Sequence, residues 1–224
     1  RNLLCSLFLI NEGKEEITEW ITQTTRQLTP DQIDETKIVT AFASRLVEGK
    51  NWPSFPEWLD HIRGRSPEEM QTWLIKDFLH ASAGYQNVSV EELPSPKEIL
   101  ANEEAYLSTY ERVYAEKGHD FNREYHLKEY QLLQDPVLAK ERILVHLDWI
   151  WHEYLQPEWE RILPMLNDSI TAFETLDFSD MSTEDALCRI TGRDHMPQIW
   201  EKWIASVDEI VIIPSAHIGP YLMT

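Results

Sequence analysis

Three times along this 224-residue chain a hydroxyl side chain is followed by proline and, two positions after the proline, by an acid or an amide. The stretches are Thr29-Pro30-Asp31-Gln32, Ser66-Pro67-Glu68-Glu69 and Ser95-Pro96-Lys97-Glu98. This is the pattern of a helix start. The hydroxyl accepts a hydrogen bond from a first-turn amide, proline occupies a position whose N–H has no partner anyway, and the third helical residue reaches back to the cap. Behind two of these starts, apolar residues recur at helical spacing: Val39, Phe42, Ala43, Leu46 and Val47, then Met70, Trp73, Leu74 and Phe78. Ile17, Trp20, Ile21 and Leu28 mark an earlier helix, and Phe55, Trp58, Leu59 and Ile62, introduced by Ser54, a shorter one. Gly49, Gly64 and Gly84 are expected to stop successive helices. A chain punctuated this way is constrained to a mainly α fold.

The second half repeats the pattern with longer helices. Tyr106, Tyr110, Val113 and Tyr114 share a helix that ends at Gly118, and a further helix is expected from Asp120 to Gln134. Asp135-Pro136 starts a long helical stretch reaching about Glu174, in which Pro157 and Pro164 should each break or kink the helix. At the C-terminal end Glu209 to Ile213 is a β-branched run. Pro214-Ser215-Ala216-His217 is a turn, and Ile218 to Met223 can return as a second strand. The expected architecture is a multi-helix orthogonal bundle with a short C-terminal β-hairpin. Gln86 to Pro96, which holds Pro94 and Pro96, is the expected linker between helical subdomains spanning 1–90 and 91–224.

Composition narrows the function. At 42% hydrophobic residues with nine Trp the chain can build a core. A net charge of −19 repels phosphate, so the segment should not bind nucleic acid or an anionic membrane by itself. No apolar run approaches the roughly 18 residues of a membrane span. The only cysteines, Cys5 and Cys188, give neither a disulfide framework nor a zinc knuckle, which makes a reducing cytoplasm the default compartment. The chain begins at Arg1 rather than Met, which reads as a fragment.

Motifs for catalysis are sparse. His119-Asp120 is the dyad that a metal-dependent helical hydrolase of the HD type would use, with His80 and Asp148 in the outer roles. Two adjacent common residue types are weakly specific, however, and the dyad follows Gly118 at a helix end rather than lying inside a helix. Around Trp149, Asp148 and His152 are four apart and His146 and Trp149 three apart, so each pair shares a helix face. No His-Glu-x-x-His motif accompanies them, and no metal or cofactor is expected there. His146, Trp149 and His152 are instead the candidate wall of a small-molecule pocket. Gly-x-Ser-x-Gly and a Gly-rich phosphate loop are both absent in a chain with seven Gly.

Three stretches together resemble the long N-terminal region of a subgroup of bacterial winged-helix regulators of the ArsR-like family. They are Asn2 to Leu7 leading to Glu19-Trp20, the run Trp151 to Arg161, and Val207 to Ser215 with Ile218-Gly219-Pro220-Tyr221 behind it. The resemblance implies a regulatory domain without catalysis that senses a small effector or dimerises. DNA would be read by a C-terminal winged helix absent from this chain. It carries over no ligand residues, and the closely spaced cysteines of metal-sensing members are missing. A protein-interaction module with no enclosed pocket remains a separate alternative.

Overall fold

The computed structural model describes residues 6–7, 9–10, 18–47, 50, 52–196, 204, 207 and 209–217. Among these the protein is built of helices: α1 (Glu19–Gln27), α2 (Pro30–Arg45), α3 (Phe55–Gly64), α4 (Pro67–Gln86), α5 (Pro96–Ala101), α6 (Glu103–Lys117), α7 (Arg123–Leu133), α8 (Pro136–Ile150), α9 (Gln156–Glu174) and α10 (Thr183–Thr191). A 3₁₀ turn at Val90–Glu92 follows α4. All three hydroxyl-proline starts form capping boxes, with Gln32, Glu69 and Glu98 bonding back to the cap amides. Thr18, Ser54, Asn102, Asn122, Asp135 and Ser182 cap other helices without the full box.

Helices α4 and α8 pack against each other at the centre. Around them, α2 lies on both, α3 on α8, α6 on α4, and α7 on both α6 and α8. One cluster of buried residues runs through both halves of the sequence. Phe42, Trp58, Met70, Leu74 and Phe78 join Ile99, Tyr106, Leu133, Ile143, Leu147 and Trp151 in it. A smaller cluster of Leu9, Ile10, Ile21 and Leu28 is joined to the first by Trp20, Trp149 and Tyr154, which pack on both.

Neither proline breaks the helical run from Pro136 to Glu174. Between α8 and α9 the helix widens into a π turn over Trp151–Leu155, where the Gln156 amide bonds to Trp151 O, five residues back. Pro157, which has no amide to give, follows at once. Pro164 is carried inside α9, which continues to Glu174.

Several boundaries differ from the sequence reading. Gly84 lies inside α4, and the helix ends on Asn87, held at φ 51 in the left-handed region that asparagine tolerates best among residues with a Cβ. Gly118 does end α6 in that region, at φ 65. Trp73 is on the rim rather than in the core, 36% exposed, its Nε1–H bonded to Arg45 O at 2.9 Å. The helix expected from Asp120 starts at Arg123, because Asn122 takes the cap. Residues 209–217 run without strand pairing, and there is no β-strand among the described residues; Val211, Ile212 and Ile213 are exposed instead. The second strand, Ile218 to Met223, lies outside the described residues, as do Gly49 and Ile17. No described helix is long and apolar enough to cross a membrane.

Candidate functional site

The sequence-derived candidates separate. His146 is 8% exposed, and its Nε2 lies 2.9 Å from the Thr36 hydroxyl. That hydroxyl donates its own proton to Gln32 O at 2.6 Å, so it accepts from His146, which therefore carries its proton on Nε2. Burial, the largest influence, lowers the His146 pKa and favours this neutral form. Trp149 lies beside it, ring centroids 5.2 Å apart. His152 does not join them: it is exposed, its Nδ1–H bonded to Asp148 O at 2.8 Å. The shared face of Asp148 and His152 is real but turned to solvent, where Arg63 pairs with Asp148 at 3.2 Å.

His119 and Asp120 are exposed in the loop between α6 and α7, not within a helix. His80 is exposed on α4 and bonds back to Lys76 O. Among the described residues no group of three or more His, Cys, Asp or Glu side chains could hold a metal ion.

The structure assembles a different site. On α4, Phe78, Ala81, Ser82 and Tyr85 recur at helical spacing; on α6, Tyr110, Val113, Tyr114 and Lys117 do the same. Because α4 and α6 pack side by side, the two stripes face a common, partly open cavity of about 540 Å³, lined also by Arg45 from the end of α2 and by His119. That volume is in the range of small-molecule pockets. The aromatic lining extends inward as a packed set: Phe78 meets Tyr106 and Tyr110 at 4.9 and 4.7 Å, and Tyr110 stacks on His126 at 4.1 Å. Phe121 also stacks on the His126 ring, nearly parallel to it, with centroids 5.2 Å apart.

Charge is buried beneath this lining. The Arg45 guanidinium lies 5.9 and 5.8 Å from the ring centres of Phe78 and Tyr110, and its Nη2 donates to the Tyr110 hydroxyl. Its Nη1 is buried without a hydrogen-bond partner. His126 donates from Nδ1 to the Glu129 carboxylate at 2.6 Å, both side chains almost fully buried, while His126 Nε2 has no partner. Burial is the largest influence on Arg45 and disfavours its charge. Tyr110, Tyr106 and the Glu129 carboxylate outweigh it and hold the pKa above the ordinary value. Burial pushes the Tyr110 hydroxyl up to about 12 and raises Tyr106 as well, so both remain protonated. The site can therefore do two things: hold an apolar, flat body between aromatic walls, and offer it a fixed positive charge.

Sequence reasoning missed Arg45. Its signal was present, since it follows Phe42 by three positions and so lies on the stripe that buries Val39, Phe42 and Leu46. A cation on a buried stripe needs a partner or a role.

A second polar cluster joins residues far apart in sequence. Glu158 Oε1 accepts from His217 Nε2 at 2.7 Å and from Arg161 at 2.6 Å, while the Ser6 hydroxyl lies 2.8 Å from His217 Nδ1. Trp20 stacks on the imidazole at 4.7 Å. A histidine placed between a serine and an acid resembles a catalytic relay, although the ring nitrogens are exchanged: here the serine faces Nδ1 and the acid Nε2, the reverse of a serine-hydrolase triad. Ser6, Glu158 and His217 are each at most 5% exposed, however, and none lines the cavity. The relay ties the C-terminal segment to α9 and to the chain around Ser6.

No family model, curated protein or solved structure matches this chain.

Proposed function

We propose that this chain is the regulatory part of a bacterial transcription regulator of the ArsR-like winged-helix kind, without catalytic activity. It senses a small effector and dimerises, and contacts DNA only through a winged helix outside these residues. The observation that carries the reading is the aromatic cavity between α4 and α6 with Arg45 at its base. A concave pocket of this size between two helices favours effector sensing over a protein-interaction module that works through its surface alone. The three stretches that resemble the regulator subgroup supply the attached function. Regulation then follows from linkage: an effector that binds one arrangement of α2, α4 and α6 better than another shifts the population toward it, and with it the placement of the attached DNA-reading units.

The test is a footprint of the protein expressed from its whole reading frame on the DNA upstream of its own gene. Sequence-specific protection that falls as salt rises is expected. Protection no better than on unrelated DNA would sink the regulator reading.

Dimerisation is favoured by α9. Leu163, Ile170 and Phe173, 36 to 42% exposed, continue with Leu166 an apolar stripe at alternating three- and four-residue spacing. That is the seam of a helix pair. Sedimentation is expected to show a dimer, and Ile170→Glu with Phe173→Glu a monomer. A monomeric parent at high concentration would exclude this part.

A further inference from the structure

We infer that the ligand of the α4–α6 cavity is an organic monoanion, a carboxylate on a flat apolar body; this rests on the reading of that cavity as an effector pocket. Charge is the first argument. The chain carries 39 Asp and Glu against 20 Lys and Arg, yet the cavity is lined by Arg45, Lys117 and His119 and by no carboxylate. A lining with that sign, in a protein of the opposite net charge, concentrates anions at one place on its surface.

The state of Arg45 is the second. A guanidinium has five N–H donors in a fixed fork suited to a carboxylate. Arg45 makes one side-chain hydrogen bond among the described residues, from Nη2 to Tyr110, and its buried Nη1 makes none. The fields of Glu129 and Asp77 reach it, but neither carboxylate forms an ion pair with it among the described residues, and Glu129 is bonded to His126. A half-buried cation whose enclosed Nη1 has no acceptor is what an incoming acceptor would complete.

The count of charges selects a monoanion. Lys117 and His119 lie exposed at the rim, Arg45 alone is half-buried, and Glu129 already offsets part of its charge, so a phosphate dianion would be left undercompensated against the aromatic walls. The walls select the body. Phe78, Tyr110, Tyr114 and Val113 present apolar and aromatic surface, and Tyr85, 53% exposed with Lys117 Nζ 3.6 Å over its ring, stands at the mouth. The cation and the tyrosine at the rim are placed to meet the anion first and then to cover the body.

The test uses benzoate, 2-naphthoate and indole-3-acetate, each beside its primary amide, titrated calorimetrically into the 224-residue chain at neutral pH and low salt. At least one acid is expected to bind about tenfold or more tighter than its amide, since hydrogen bonds to an ionised group are roughly twice as strong as neutral ones. Arg45→Met should bring the acid down to the level of the amide. Ala81→Trp, on the exposed rim of the cavity, should weaken both. If circular dichroism shows that Arg45→Met does not fold, the acid–amide comparison in the parent and in Ala81→Trp decides alone. Equal binding of every acid and its amide, lost in Ala81→Trp, would overturn the monoanion and leave the effector pocket standing. Failure of all six compounds to bind, or binding that Ala81→Trp does not change, would overturn both.

Discussion

Replacing Glu129 by Gln is expected to lower the unfolding free energy by about 3 kcal/mol or more, the largest loss from any single charge change in this protein. The reason lies in what remains rather than in what is removed. His126 stays buried and Arg45 half-buried with its Nη1 enclosed, and the carboxylate whose field offsets the guanidinium and whose oxygen receives the His126 proton is gone. Breaking a buried charge set by removing one partner typically costs about 3 to 5 kcal/mol, because the other charge is left uncompensated. The total stability of a domain is only about 5 to 15 kcal/mol, so such a loss is plainly visible in urea denaturation. The companion variant carries Glu129→Leu and Arg45→Met together. Removing both charges and filling the space with apolar atoms should recover most of the loss, since buried ion sets contribute little net stability against well-packed hydrophobic residues. The cycle of single and double variants then measures the coupling directly. A loss under about 1 kcal/mol in Glu129→Gln would mean that Arg45 is compensated elsewhere.

That expectation gives the buried cluster a physical role of its own. An Arg held in an aromatic enclosure at a cost in stability is what a domain keeps when the charge is needed for something besides folding. Tyr110 connects the two roles. Its hydroxyl accepts from Arg45, while its ring stacks on His126, which holds Glu129. An acceptor arriving at Arg45 would therefore act on a set of side chains reaching from the end of α2 across α6 into α7.

How much of this was legible in the sequence depends on the range of the interaction. Helix starts are local: a hydroxyl, a proline and an acid within four residues specify the cap, and Thr29, Ser66 and Ser95 form it as their neighbours dictate. Helix ends are less local. Gly84 reads as a stop, but α4 continues because Tyr85 and Gln86 still have a neighbour to lie on, Gln86 reaching Thr109 O on α6. The stop passes to Asn87, which tolerates the left-handed conformation. The pair His146 and Trp149 was legible because three-residue spacing on a helix puts rings in contact. His152 was legible only as a neighbour of Asp148; whether their face looked inward depended on the packing of α8 against α2, α3 and α4, which no spacing encodes. The Arg45 site was the least legible. Its members come from α2, α4, α6 and α7 and meet only because those helices pack together. The hint lay in composition, in Tyr106, Tyr110 and Tyr114 on one helix and an arginine on a buried stripe of another. The aromatic stripe alone reads equally well as core.

The relay of Ser6, His217 and Glu158 is the other long-range feature, and His217→Ala is expected to have the second large effect. It removes a hydrogen bond to the Glu158 carboxylate, leaves the Ser6 hydroxyl without its ring partner and strips the stack from Trp20. A buried hydrogen bond to a charged group contributes about 1.5 to 3 kcal/mol, so a loss of about that size is expected in urea denaturation near neutral pH. The variant should also differ in how it responds to acid. In the parent, burial is the largest influence on Glu158 and would raise its pKa. Hydrogen bonds and charge from Arg161 and His217 outweigh it and hold the pKa below the ordinary 4.5. A carboxylate depressed in the folded state contributes stability that is fully present above its unfolded pKa and is lost as pH falls through its folded one. The parent should therefore hold this contribution down to about pH 4.5 and lose it below. Without His217, Glu158 keeps Arg161 but loses one of its two partners, and burial regains weight, so its folded pKa moves upward. Denaturation midpoints followed from pH 7 to pH 3 should show the acid decline of this contribution beginning near pH 4.5 in both proteins, and in the variant a smaller total fall that ends at higher pH than in the parent. Identical acid limbs would show that Arg161 alone fixes the carboxylate. The relay would then hold the chain around Ser6 and the C-terminal segment by packing against Trp20 rather than by charge.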